Sequence, residues 1–88
     1  MSLEVKNACV LLVEDHRDLA ETTLDFLSGV GFETDYAGDG ISALQLACSN
    51  RYDAIILDVM LPNKSGFDIL RDLRLRGQTC PKVLMQFH

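Results

Sequence analysis

Eighty-eight residues, 48% of them hydrophobic and 24% charged, bound this chain to one small domain of ordinary globular composition. Its net charge of −5, with no block of Lys or Arg, argues against nucleic acid or an anionic membrane as a direct partner. No apolar stretch approaches the roughly 18 residues of a transmembrane helix and nothing resembles a signal peptide, so a cytoplasmic location is expected.

Residues 1–7 read as an N-terminal segment whose Met1-Ser2-Leu3 has the look of a tag remnant, and residues 8–88 as the domain. Cys9-Val10-Leu11-Leu12-Val13 is a short apolar run of the kind buried on both faces of a parallel sheet, and it ends in Glu14-Asp15. Leu19, Ala20, Thr23, Leu24, Leu27 and Val30 then recur at helical spacing. Asp18 and Glu21 fall in the first turns, where the helix dipole favours acids, and Gly29 and Gly31 mark the stop. Phe32 to Ala37 alternates apolar with polar, as an edge strand with one wetter face does. Asp39 caps a second helix running to about Cys48 or Ser49, with Ile41, Leu44 and Ala47 on its inner face.

A second buried-type run, Ala54-Ile55-Ile56-Leu57, ends in Asp58. Pro62 to Gly66 is a turn-rich loop, in which Lys64 reads as a solvated charge, and Ser65-Gly66-Phe67-Asp68 has the form of a capping box opening a third helix. Phe67, Leu70 and Leu73 are expected to face the core, Arg71, Arg74 and Arg76 the solvent, and Gly77 to end the helix. Pro81 introduces a last apolar run, Val83-Leu84-Met85. Strand and helix alternate throughout, which with right-handed crossovers predicts a parallel α/β sheet with helices on both faces. Cys9, Cys48 and Cys80 lack metal-ligand spacing and read as buried free thiols.

Glu14, Asp15 and Asp58 carry the chemistry. In an open parallel sheet, ligands bind beyond the carboxyl ends of the strands, which is where these acids fall. Carboxylates about 4 Å apart repel by roughly 4 kcal/mol at an effective dielectric near 20. A hard cation such as Mg²⁺, or Mn²⁺, offsets that repulsion with oxygen ligands. Asp39 is by contrast a helix cap, and His16 a solvent-facing residue at the start of the first helix.

Val10-Leu11-Leu12-Val13-Glu14-Asp15, Asp39-Gly40, Ile56-Leu57-Asp58-Val59-Met60-Leu61-Pro62 and Gly66 together resemble the receiver domain of two-component response regulators, the CheY-like superfamily, over residues 8 to 85. The resemblance implies a flavodoxin-like fold lacking its fourth helix, fifth strand and fifth helix. It implies that Asp58 accepts a phosphoryl group from a phosphohistidine on a sensor histidine kinase. It also implies that Glu14, Asp15 and Asp58 hold Mg²⁺ together with the Met60 backbone carbonyl, in a domain that assists its own phosphoryl transfer and is not a turnover enzyme. Phosphoryl transfer asks the protein for in-line positioning and charge neutralisation, which such a site supplies.

The pattern departs from the family at the end of the chain. A Ser or Thr is expected at the end of the fourth strand and a Lys at the end of the fifth; here Phe87 or a close neighbour takes the first place, no Ser or Thr follows Thr79, and the sequence ends before the second. An impaired phospho-switch is therefore expected, with a receiver-derived interaction or dimerisation module as the alternative. The open edge at Val83 to Met85 predicts a homodimer joined through Pro81 to His88. A hydrolase of the haloacid dehalogenase type needs a second acid where Met60 stands, and a flavodoxin-like cofactor binder needs a phosphate loop without Glu14-Asp15.

Overall fold

The computed structural model describes residues 7–59, 61, 65–77 and 82–86, the last five by their backbone. Seven elements alternate in the expected order: β1 (Cys9–Val13), α1 (Arg17–Gly29), β2 (Glu33–Ala37), α2 (Gly40–Ser49), β3 (Ala54–Asp58), α3 (Gly66–Leu75) and β4 (Lys82–Gln86). The strands form one parallel sheet in the order β2-β1-β3-β4. The chain steps from β1 outward to β2, then back past β1 to β3 and on to β4. Right-handed crossovers therefore put α1 on one face and α2 with α3 on the other.

The strand alternation divides the core in two. Leu11, Val13, Ile55 and Leu57 pack with Ala43 and Ala47 of α2, Tyr52, and Ile69 and Leu73 of α3. Val10 and Leu12 alternate to the side of α1, where Ala20 and Leu27 are buried. β1 is thus buried front and back, as its unbroken apolar run requires, whereas β3 buries Ile55 and Leu57 on one face and leaves Ala54 and Ile56 half-buried on the other.

Caps set the helix starts. The Asp39 carboxylate accepts from the Ser42 backbone N–H at 2.8 Å and from its hydroxyl at 3.2 Å. Ser65 and Asp68 close the capping box reciprocally, at 3.1 and 3.4 Å. His16 is the cap of α1: its Nδ1 accepts from the Leu19 N–H at 3.3 Å. Gly31 and Gly77 take the positive φ values, 102° and 73°, that let the chain leave α1 and α3.

Several expected inner-face residues are not covered. Leu19 on α1, Val30 at its C-cap, Ile41 on α2 and Phe67 on α3 are exposed, Val30, Ile41 and Phe67 by more than half (58%, 54% and 55%). On α2 the buried stripe runs Gly40, Ala43, Ala47: Ala47 is inside as expected and Leu44 half-buried against the core, but Gly40 and Ala43 take the place expected of Ile41, because small residues let the helix lie close to the sheet. On α3 the stripe is Gly66, Ile69, Leu73, which turns Phe67 outward and leaves Leu70 at the margin. The thiols also differ from expectation: Cys9 is half-buried, with its Sγ 3.5 Å from the Glu33 carboxylate, and Cys48 is exposed. Cys80, Met60, Pro62, Lys64 and Phe87 lie outside the described residues.

Candidate functional site

The parallel register pairs Val13 with Leu57, so the next residue on each strand, Glu14 and Asp58, stands level at the carboxyl end of the sheet. Both are fully buried, while Asp15 on the turn into α1 is exposed. One carboxylate oxygen from each of the three lies within 4.8 Å of the others. All three acids singled out in the sequence therefore meet at one point, at the carboxyl ends of the two central strands. Met60, whose carbonyl was expected as a further ligand, lies outside the described residues. On the far side of β3, the register places Gln86 of β4 opposite Asp58.

Backbone hydrogen bonds fix the acidic turn. The Glu14 N–H donates to the Ala37 carbonyl at 3.0 Å, continuing the β1–β2 ladder one residue past the strand. The Glu14 carboxylate accepts from the His16 N–H at 3.1 Å. The Glu14 carbonyl accepts from the Tyr36 hydroxyl at 2.7 Å. Burial raises the pKa of the Tyr36 phenol above its usual value; the nearby Arg17 charge opposes that shift and Glu14, Asp15 and Asp39 reinforce it. Asp39 caps α2 and is not among the three clustered acids, as expected. His16 also caps rather than joins them.

Sequence reasoning missed Tyr36. The signal was its place at the carboxyl end of β2, the same edge of the sheet as the acids, but nothing in the sequence says that a tyrosine there reaches across to β1.

Such a donor set suits a small hard cation: oxygens only, two of them buried and one open to solvent. Among the described residues, no helix is long and apolar enough to cross a membrane.

The model of the response regulator receiver domain matches residues 10–88. The chain belongs to the response regulator receiver domain family. This receiver domain is 38% identical over 76 residues to the response regulator MprA of Mycobacterium sp. (strain KMS), and 40% identical over the same length to a Salmonella typhimurium protein described as "Probable transcriptional regulatory protein SilR". Each match covers 86% of the receiver domain and 33% of the relative, so the chain spans about a third of the curated proteins it matches. Among solved structures, the chemotaxis response regulator CheY4 of Vibrio cholerae superimposes with a TM-score of 0.86 at 33% identity, over 91% of this chain and 68% of the other. The response regulator TrrA of Thermotoga maritima, crystallised in complex with Mg²⁺-BeF, gives a TM-score of 0.81 at 30% identity, over 88% and 67%. The receiver domain therefore has the CheY-like, flavodoxin-like α/β fold, and its described elements are four strands and three helices.

Proposed function

We propose that this receiver domain takes a phosphoryl group onto Asp58 from a phosphohistidine of a sensor histidine kinase. The observation that carries the reading is the convergence of Glu14, Asp15 and Asp58 within 4.8 Å at the carboxyl ends of β1 and β3. The Asp58 carboxylate is the nucleophile; one of its oxygens attacks the phosphorus while the bond to the donor imidazole breaks. Glu14, Asp15 and Asp58 would hold Mg²⁺ or Mn²⁺, with the Met60 carbonyl as the further ligand that the family resemblance implies. When bound, the cation neutralises charge that would otherwise keep an anionic nucleophile from an anionic phosphoryl donor. Burial of Glu14 and Asp58 excludes water and keeps the donor set in place. The Mg²⁺-BeF complex of TrrA supports the same assignment here.

The domain assists its own modification and does not turn over substrate. The response to modification is weak, because Phe87 or a close neighbour in the sequence takes the place where the family carries a Ser or Thr. A cytoplasmic location and a protein partner, with no direct contact to nucleic acid or membrane, fit the net charge of −5. In the described sheet β4 is an edge strand, and pairing it with a second copy gives a closed two-fold contact, so the reading includes a homodimer. Light scattering at micromolar concentration tests that part, and a monomer there removes it.

Incubation with acetyl phosphate tests the phosphoacceptor. Labelling should be slow, require Mg²⁺, be labile, and vanish in Asp58→Asn. Labelling that survives Asp58→Asn or ignores Mg²⁺ overturns the assignment. No labelling at all favours a receiver-derived interaction module.

A further inference from the structure

We propose that Tyr36 is a positioning residue of the cation site, acting through the backbone of the acidic turn, and that Gly38 makes room for it. The inference rests on the metal-binding reading above and adds a residue from a third strand to it. The Tyr36 hydroxyl donates to the Glu14 carbonyl at 2.7 Å. That carbonyl belongs to the planar peptide unit that joins Glu14 to Asp15, so a bond to its oxygen fixes the plane from which Asp15 departs. The Glu14 N–H is held by the Ala37 carbonyl at 3.0 Å and the Glu14 carboxylate by the His16 N–H at 3.1 Å. Tyr36 is thus the anchor that reaches the Asp15 side of the turn. Asp15 needs one: it is the exposed member of the three acids and leaves the sheet where the β1 ladder ends.

Gly38 is fitted to this contact. A Cβ built there would stand 3.2 Å from the Tyr36 hydroxyl oxygen and 3.7 Å from the ring carbon bearing it. The first approach is tight enough to displace the hydroxyl and the second is an ordinary contact. A methyl at position 38 therefore pushes on the hydroxyl and leaves the ring room.

Calorimetric titration of the full chain with Mg²⁺ alone tests the inference. Tyr36→Phe should bind about three- to ten-fold more weakly, the effect of one lost neutral hydrogen bond on the ordering of a ligand. Gly38→Ala should weaken binding in the same direction, yet add nothing on top of Tyr36→Phe, since no hydroxyl then remains to displace. Tyr52→Phe, which removes a hydroxyl bonded to Asp35, should leave the affinity unchanged. Amide hydrogen exchange in metal-free protein gives a readout independent of binding: the Asp15 N–H should exchange faster in Tyr36→Phe than in wild type.

Equal Mg²⁺ affinity in wild type and Tyr36→Phe overturns the positioning role and leaves the cation site standing. So does a loss no larger than that of Tyr52→Phe, or an additive loss in the double variant. Failure of wild type to bind Mg²⁺ overturns the cation reading and the role of Tyr36 in it, and exchange at Asp15 then reports the anchor alone.

Discussion

Replacing Asp58 with asparagine should stabilise the metal-free domain while abolishing its function. Glu14 and Asp58 are both fully buried, and their carboxylate oxygens approach within 4.8 Å. At that limiting distance two unit charges repel by about 3.5 kcal/mol at an effective dielectric near 20. Asp15 adds less, because it is exposed and screened by solvent. The asparagine side chain keeps a carbonyl acceptor in the same volume but gives up one acceptor oxygen, so part of the relief is returned. A net gain of about 1–3 kcal/mol is expected, and for a domain of this size each kcal/mol moves the melting temperature by about 4–8 °C. Thermal denaturation in EDTA should therefore place Asp58→Asn at least several degrees above wild type. Saturating Mg²⁺ should reverse the order, since a ligand at 1,000 times its Kd stabilises the form that binds it by about 4.1 kcal/mol, more than the whole expected gain. An Asp58→Asn chain that melts at or below wild type in EDTA would refute the claim that repulsion is stored at these strand ends. So would equal stabilisation of both chains by Mg²⁺.

Other expectations follow from the same geometry. Asp15→Asn should lose most Mg²⁺ affinity in a calorimetric titration with little change in melting temperature, because its side chain is exposed. Asp39→Ala should cost about 0.5–2 kcal/mol in urea denaturation, the usual value of a helix cap, here bonded to both the N–H and hydroxyl of Ser42. Tyr52 should make the fold sensitive to alkali. Burial, and then its 2.7 Å bond to Asp35, push its phenol well above the ordinary value of 10.0. The unfolded tyrosine loses its proton first, so this stabilisation is complete below pH 10 and is lost as pH rises above it. Tyr52→Phe should flatten that alkaline decline in a plot of melting temperature against pH, and an unchanged slope would remove Tyr52 as its source.

The parts of the fold that follow from periodicity and caps were legible in the sequence. The runs at Cys9–Val13 and Ala54–Leu57 admit little but buried strands, and Asp39 and Ser65 mark helix starts by chemistry that acts within three residues. The meeting of Glu14, Asp15 and Asp58 was legible too, because a parallel sheet brings all its carboxyl ends to one edge. Ala47 and Leu73 turn inward as expected; what failed was the choice of inner-face residues at the start of α2 and α3. Ile41 and Phe67 are larger and more apolar than Ala43 and Gly66, yet the small residues turn inward because a helix seated closely on a sheet has no room for more. Sequence hydropathy weighs side chains by size; close packing selected them by fit. The Tyr36 contact was illegible for a different reason: it links residues 22 positions apart through one hydroxyl, and no local pattern encodes it.

The pairing of Val13 with Leu57 works as a ruler for the site. Each residue of a strand advances about 3.3 Å, so a slip of one position between β1 and β3 would carry Asp58 most of the way out of reach of Glu14 and turn its side chain to the other face. The dimension that matters chemically is thus set by hydrogen bonds running the length of two strands rather than by the acidic residues themselves. Insertions in the turn before β3 are then tolerated only if the ladder from Val10–Ala54 to Val13–Leu57 re-forms in the same phase. The connection between α1 and β2, at the opposite edge of the sheet from the acids, can lengthen at the cost of stability alone. Swapping segments between receivers would keep the site intact when the junctions lie outside this ladder, and destroy it when a single residue is gained or lost within.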